Sequence, residues 1–397
     1  MSDVRTDLPR LRLLGEADPE ARDVITGLID DAVRGLPRMR PGRALPGRRG
    51  ADGGFVFTLR GRQAEPAGTS LRYAAIVALG AHLLPEPGQR AALGGDSVEE
   101  LVDALVARVE VTGPDAVTSL GDLALVCWAA AETRHAGLPR ALDRMTAADP
   151  PGGPPVFTVD AAWVASALAA VRDAGDVPIP EEHLDRARLR LLDGLGGRSL
   201  YSHEVGGHGL VPRFRSHVGC FADQVYPVQA LARLGDELSL EGAARVAATI
   251  CAAQGAGGQW WWHYDARDGG VVEGYPVYSV HQHAMAPMAL LDLADAGGPS
   301  HLDAIARGVR WMTRPPETGE SLVLGGDPVM TWRKVARKDP RKAVRGVRAA
   351  TTGLRPGWRL APLDRAFPPV AVDRECRPYE LGWLLHTWLV DEPRETS

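Results

Sequence analysis

PEEHLDRARLRLLDGL (180–195) and CFADQVYPVQALARL (220–234) are the two kinds of helix from which this chain is built. In the first, apolar residues recur every three to four positions and charges fill the opposite face, so the helix lies half in water. In the second, apolar residues run nearly all round and the polar groups crowd the N-terminal end. Such a helix is buried on every side.

Both patterns repeat. The amphipathic kind recurs at Pro19 to Leu36, Asp96 to Val111, Leu138 to Ala148, Pro180 to Leu195, Ser239 to Ala253 and Ser300 to Met312. The buried kind recurs as SLRYAAIVALGAHLL, SLGDLALVCWAAA, TVDAAWVASALAAV, CFADQVYPVQALARL, SVHQHAMAPMALLDLA and RPYELGWLLHTWLV. Strict alternation of solvated and buried helices predicts hairpins closed into two concentric rings: an all-α (α/α)6 toroid in a single domain, 1–397. The longer connections, Pro37 to Gly68, Gly196 to Val218, Gln254 to Val277 and Arg314 to Glu375, all lead from an outer helix to an inner one. They gather at the end where the inner helices begin, and loops on a rigid scaffold carry function, so the site is expected there.

Composition narrows the function. The 397 residues carry 45 basic and 50 acidic side chains, a net charge of −5, which gives no overall positive field for a polyanion, so nucleic-acid binding is not expected. No run of about 18 apolar residues occurs and the first residues lack the apolar core of a secretory signal, so a cytoplasmic location is expected. Cys127, Cys220, Cys251 and Cys376 form no CxxC pair and read as buried thiols. Walker, strand-coupled GxGxxG and GxSxG motifs are absent. The H-E-x-x-x-H of His203, Glu204 and His208 is one residue too long for a helical zinc motif and reads as loop.

Helix N-termini present free N–H groups and positive dipole ends, so a ring of them favours anionic or strongly polar ligands. The side chains there are Arg72, Tyr73, Asp122, Asp160, Trp163, Asp223, Gln224, Tyr226, His281, Gln282, His283, Arg377, Tyr379, Glu380 and Trp383. Asp122 and Asp160 read as caps. Asp223 and Glu380 lie inside buried helices beside aromatic residues and are the general acid/base candidates, assisted by His281 or His283. These two histidines, two apart on a helix, point about 200° from each other, so one at most faces the cavity. Trp260, Trp261, Trp262 and Tyr264, with Trp163, Tyr226, Trp383, Tyr73 and Tyr379, are expected to stack a ligand, and Arg72 or Arg377 to hold an acidic substituent. From 333 to 348 the sequence RKVARKDPRKAVRGVR carries eight basic residues and one acid, within a long basic loop at about 315–375. It reads as a solvated face.

Two resemblances follow from these residues. Gln254, Gly258 and Trp260 resemble the Q-x(2–5)-G-x-W repeat of terpenoid cyclases and protein prenyltransferases, themselves helical toroids; the resemblance implies an isoprenoid ligand. DxDD and DDxxD are absent from the sequence. The zinc site of prenyltransferases is similar in the spacing of Cys220 and His281, with Val218 where that family has aspartate; Cys220, Asp223 and His281 would then be the ligands. The alternation of helices resembles the six-hairpin glycosidases and their epimerase and lyase relatives, which implies a saccharide substrate and no cofactor. The favoured expectation is an enzyme that hydrolyses, eliminates or epimerises a saccharide, one with anionic substituents included, without metal. A prenyltransferase-like protein and a non-catalytic toroid binding a glycan or protein are the alternatives.

Overall fold

The computed structural model describes residues 8–40, 54–325 and 331–391; parts of the connections at 37–68 and 315–375, and the residues at either end of the chain, lie outside them. The twelve expected helices are present in alternating order. The outer ones are Pro19–Gly35, Val98–Val109, Leu138–Ala148, Glu181–Leu195, Glu237–Ala252 and Leu302–Thr313. The inner ones are Leu71–Ala81, Leu120–Glu132, Thr158–Ala174, Ala222–Leu234, Ala286–Asp295 with a preceding π-turn at His281–Met285, and Pro378–Trp388. Each inner helix packs on the next, and the sixth packs on the first, so the inner ring is closed.

Closure depends on side-chain size. Alanines dominate the inner helices and let their axes approach. At the seam between the first and last inner helices even alanine is too large. A methyl group at Gly80 would lie 2.2 Å from the Gly382 carbonyl oxygen, and one at Gly382 would lie 2.6 Å from that of Ile76. At the far end of the ring Arg10, from the extra helix Pro9–Ala17, bonds Asp292, Asp295 and the Thr387 carbonyl. That network fastens two inner helices together.

Proline shapes the fifth inner helix. Pro287 has no N–H to give the His283 carbonyl four residues back, and the Trp388 indole N–H supplies the bond instead at 2.7 Å. The turn before it widens into a π-turn. Pro227 sits inside the fourth inner helix.

The connections hold more structure than their sequence announces. Phe55–Arg60 and Glu65–Ser70 form an antiparallel hairpin that also pairs with Glu375–Cys376. Val218–Cys220, His263–Asp265 and Val271–Glu273 form a second sheet, Val277–Tyr278, Lys334–Ala336 and Ala371–Asp373 a third, and Val156–Phe157 pairs with Glu204–Val205. These strands run directly into inner-helix starts. Two to six residues are too few to show a period of two above an Ala/Gly-rich background, and pairing partners lie far away in sequence. The basic segment is likewise no open loop: it contains helices Ala343–Leu354 and Pro362–Ala366.

Gly80→Ala should destabilise the fold by about 1–3 kcal/mol in chemical denaturation, because neither backbone can retreat. Gly346→Ala, in a helix with open space around it, should be neutral or stabilising by up to about 1 kcal/mol.

Candidate active site

The starts of the first two inner helices are capped by serine, which frees the acid of the second. Ser70 Oγ accepts the Tyr73 N–H, and Ser119 Oγ accepts that of Asp122. Asp122 is therefore no cap. It sits one turn in and pairs with Arg72 Nε at 2.7 Å, while the guanidinium lies 4.8 Å over the Trp163 ring. Asp160 occupies the same place in the next helix. Its Oδ1 rests against the neighbouring helix start, where a methyl group at Gly121 would come within 2.2 Å of it. No hydrogen bond to this carboxylate comes from the described residues. Burial raises its pKa and outweighs the lowering by Arg72; the charges of Asp122 and Asp223 raise it further. A carboxyl group so placed holds its proton into a higher pH range than a surface aspartate does.

Asp223 has a different task. Its Oδ2 accepts the Cys220 N–H at 2.6 Å and lies 2.7 Å from His203 Nδ1. With a carboxylate there the imidazole proton sits on Nδ1, and the Nε2 lone pair accepts from Arg215 at 3.3 Å. Asp223 thus orients a histidine. Burial, with Asp223 adding to it, pushes the Cys220 thiol well up, so it is neutral.

His203, Cys220 and Asp223 offer ligand atoms within 4.8 Å of one another. The expected zinc set of Cys220, Asp223 and His281 is not the one assembled: His281 turns away, its ring 4.4 Å from Phe221 and stacked on Trp262 at 5.9 Å. His283 is fully buried with neither ring nitrogen hydrogen-bonded. Burial lowers its pKa to about 3 and keeps it neutral.

Glu380 closes the other side of the ring. Its Oε2 accepts the Arg377 N–H at 3.3 Å, and Oε1 lies 3.6 Å from Arg333 Nε. It is wholly inaccessible, and burial pushes its pKa up to about 7 despite Arg333 and Arg377. The arginine expected to hold an acidic substituent is occupied here too: Arg377 bonds Glu375 at 2.8 Å and the Tyr73 hydroxyl at 3.0 Å.

The aromatic residues divide. Tyr73 stacks on Tyr379 at 4.6 Å; Tyr226 lies edge-on to Trp163 at 5.1 Å and beside Trp383 at 5.9 Å; Trp262 meets Tyr278 at 4.9 Å. Trp383 is sealed below this layer against Trp128. Trp260 and Tyr264 are buried core, and Trp261 packs on Tyr275 and Gly274. Of the three tryptophans only Trp262 reaches the histidine cluster. Gln254 explains the repeat-like motif: its amide donates to the Gly258 and Ala304 carbonyls and its oxygen accepts from Arg307, tying the loop to the last outer helix.

Asp223, His281 and Glu380 therefore share one end of the toroid, linked through Phe221, Tyr226 and Tyr73. Asp160 and His203 are the functional candidates that sequence reasoning passed over. A signal existed: Tyr73, Asp122, Asp160 and Glu380 are each the third residue of an inner helix.

Glu380 yields a pH test. Its folded pKa lies above the ordinary 4.5, so ionisation opposes folding: the contribution of Glu380 to stability is full below pH 4.5 and is lost as pH rises through 7. Glu380→Gln should abolish that loss, and the wild-type and variant unfolding curves should diverge by roughly 3 kcal/mol between pH 4.5 and 8.

No protein-family model matches the chain, and no curated protein sequence matches it. Solved structures do. An unsaturated glucuronyl hydrolase specific for heparin superposes with a TM-score of 0.57 at 12% identity, covering 91% of this chain and 96% of that one. The unsaturated glucuronyl hydrolase of Bacillus sp. GL1, responsible for the degradation of glycosaminoglycan, gives 0.57 at 14% identity over 92% and 96%. A sugar epimerase from a ruminal bacterium gives 0.57 at 12% identity over 93% and 98%. The chain shares the (α/α)6 toroid fold of these proteins, and the terpenoid cyclase resemblance is not supported.

Proposed function

We propose that the chain is an enzyme acting on a saccharide, hydrolysing it in the favoured reading, with Asp160 as general acid/base. One observation carries this: a carboxyl group that no described residue hydrogen-bonds, its pKa raised by burial and two neighbouring carboxylates, lies among Arg72, Trp163 and Asp223 at the helix-start end of the ring. A proton donor has to hold its proton near working pH and then release it to the substrate. Asp122, neutralised by Arg72, keeps the site's charge in balance while still biasing Asp160 toward the protonated form. As carboxylate, Asp160 then draws a proton from the attacking water.

His203, oriented by Asp223, is the second proton-transfer group, and an elimination or epimerisation would use it with Asp160. Tyr226, Trp262, Tyr73 and Tyr379 offer faces for sugar rings. The names of the superposed proteins, glucuronyl hydrolases and a sugar epimerase, support a saccharide substrate. Proton transfer by side chains is the chemistry proposed, so dialysis against EDTA is expected to leave the rate unchanged. Stoichiometric zinc lost in Cys220→Ser would move the chemistry to His203, Cys220 and Asp223. The described residues contain no helix long and apolar enough to cross a membrane. We take the protein to work in the cytoplasm.

A panel of neutral and uronic-acid-bearing oligosaccharides, followed by product NMR, should reveal turnover. Asp160→Asn should then lower kcat by about 10²–10⁴-fold with an unchanged unfolding midpoint, and His203→Gln by a smaller factor. A rate retained by Asp160→Asn contradicts the assignment; saccharide binding without turnover by the wild type makes the toroid a binding protein.

A further inference from the structure

The acid/base chemistry leaves the basic stretch 333–348 unexplained, and its cations differ in what they touch. Arg337 and Arg348 are buried and share the Glu273 carboxylate at 3.2 and 2.8 Å, with Asp364 bridging both. Lys334 is bound to Asp373 at 2.7 Å. These three hold the segment in place.

Arg345 has no carboxylate partner among the described residues. Asp339, the acid beside it, is occupied by the Val344 N–H. Arg215 is in the same position: its polar contact is the His203 Nε2 atom, which offers a lone pair and no negative charge. Helix Ala343–Leu354 packs on the turn Arg213–Arg215, and the charge of Arg215 is felt at Arg345. Arg345 lines a cavity of about 330 Å³ together with Tyr278 and Lys334. Over the Tyr278 ring lies a further cation, Arg333, at 4.8 Å.

Two half-buried cations side by side repel each other and have lost part of their hydration. Burial lowers the Arg345 pKa, and Arg215 lowers it further. Both charges also bear on the buried His263, whose pKa burial drives well down, with His203 adding to it, so that imidazole stays neutral. An anion placed there would meet two planar donor forks, each able to grip two oxygens.

We propose that Arg215 and Arg345 form a subsite for an anionic group, a sulfate ester carried by the saccharide whose bond Asp160 works on. This rests on the saccharide reading, and it replaces Arg72 and Arg377 as the residues that select an acidic substituent. Tyr278 supplies the wall on which the substituted sugar lies, and His203 sits between the subsite and the acid.

The test is a binding experiment on the full chain in the Asp160→Asn background, where turnover does not interfere. Calorimetry compares a sulfated heparin disaccharide, its desulfated counterpart and inorganic sulfate. The expected result is at least tenfold tighter binding of the sulfated disaccharide than of the desulfated one, with inorganic sulfate weaker than either. Arg215→Gln and Arg345→Gln should each reduce that preference by about tenfold, whereas the exposed Arg341→Gln should keep it. Unfolding midpoints check that the variants fold. A preference that survives the double Arg215→Gln, Arg345→Gln variant overturns the proposal, as does inorganic sulfate binding as tightly as the disaccharide. Failure of the Asp160 assignment would show instead as turnover in the background variant, so the two readings fail separately.

Discussion

Two glycines facing each other where the last inner helix meets the first allow the ring to close. With side chains at Gly80 and Gly382 the helices would stand apart, and the inner ring would open into an arc. Closure matters for chemistry because all six inner helices begin at the same end. Each start delivers its third residue, or one close by, to a common space: Tyr73, Asp122, Asp160, Asp223, His281 and Glu380 come from segments spread over three hundred residues of chain. The dipole ends of the helices then add a positive background to whatever these side chains bring.

Charge is not evenly distributed around that space. Asp122, Asp160 and Asp223 form an acidic sector, with Arg72 neutralising the first and His203 engaging the third, so that Asp160 carries the residual repulsion. Across the ring, Arg333 and Arg377 surround Glu380, and Arg215 and Arg345 meet no carboxylate among the described residues. A ligand spanning the two sectors would place a reacting bond near an acid and an anionic substituent near arginines. Strands open five of the six inner helices and set this alignment; Val218–Cys220, paired with His263–Asp265, fixes Asp223 and His203 relative to the sheet.

The ring was legible because it rests on patterning within single segments. Amphipathic and all-apolar helices differ over fifteen residues, and the outer helices fall within a few residues of their expected bounds. What was not legible depends on partners remote in sequence. Asp122 and Asp160 read as caps, since nothing local says that Ser119 does the capping or that no described residue hydrogen-bonds Asp160. Trp260 and Tyr264 read as a ligand platform, yet the loop turns them inward to fill space beneath the last outer helix. The basic stretch read as a solvated face because Glu273 and Asp364, which bury Arg337 and Arg348, are separated from it by other elements.

The most direct probe of the account is the ionisation of Asp160 itself, followed by the carboxyl carbon signal in a ¹³C NMR titration. The account predicts a pKa above the ordinary aspartate value of 3.8 that moves down when Asp122 is replaced by asparagine. A value at or below 3.8, indifferent to that replacement, would contradict it.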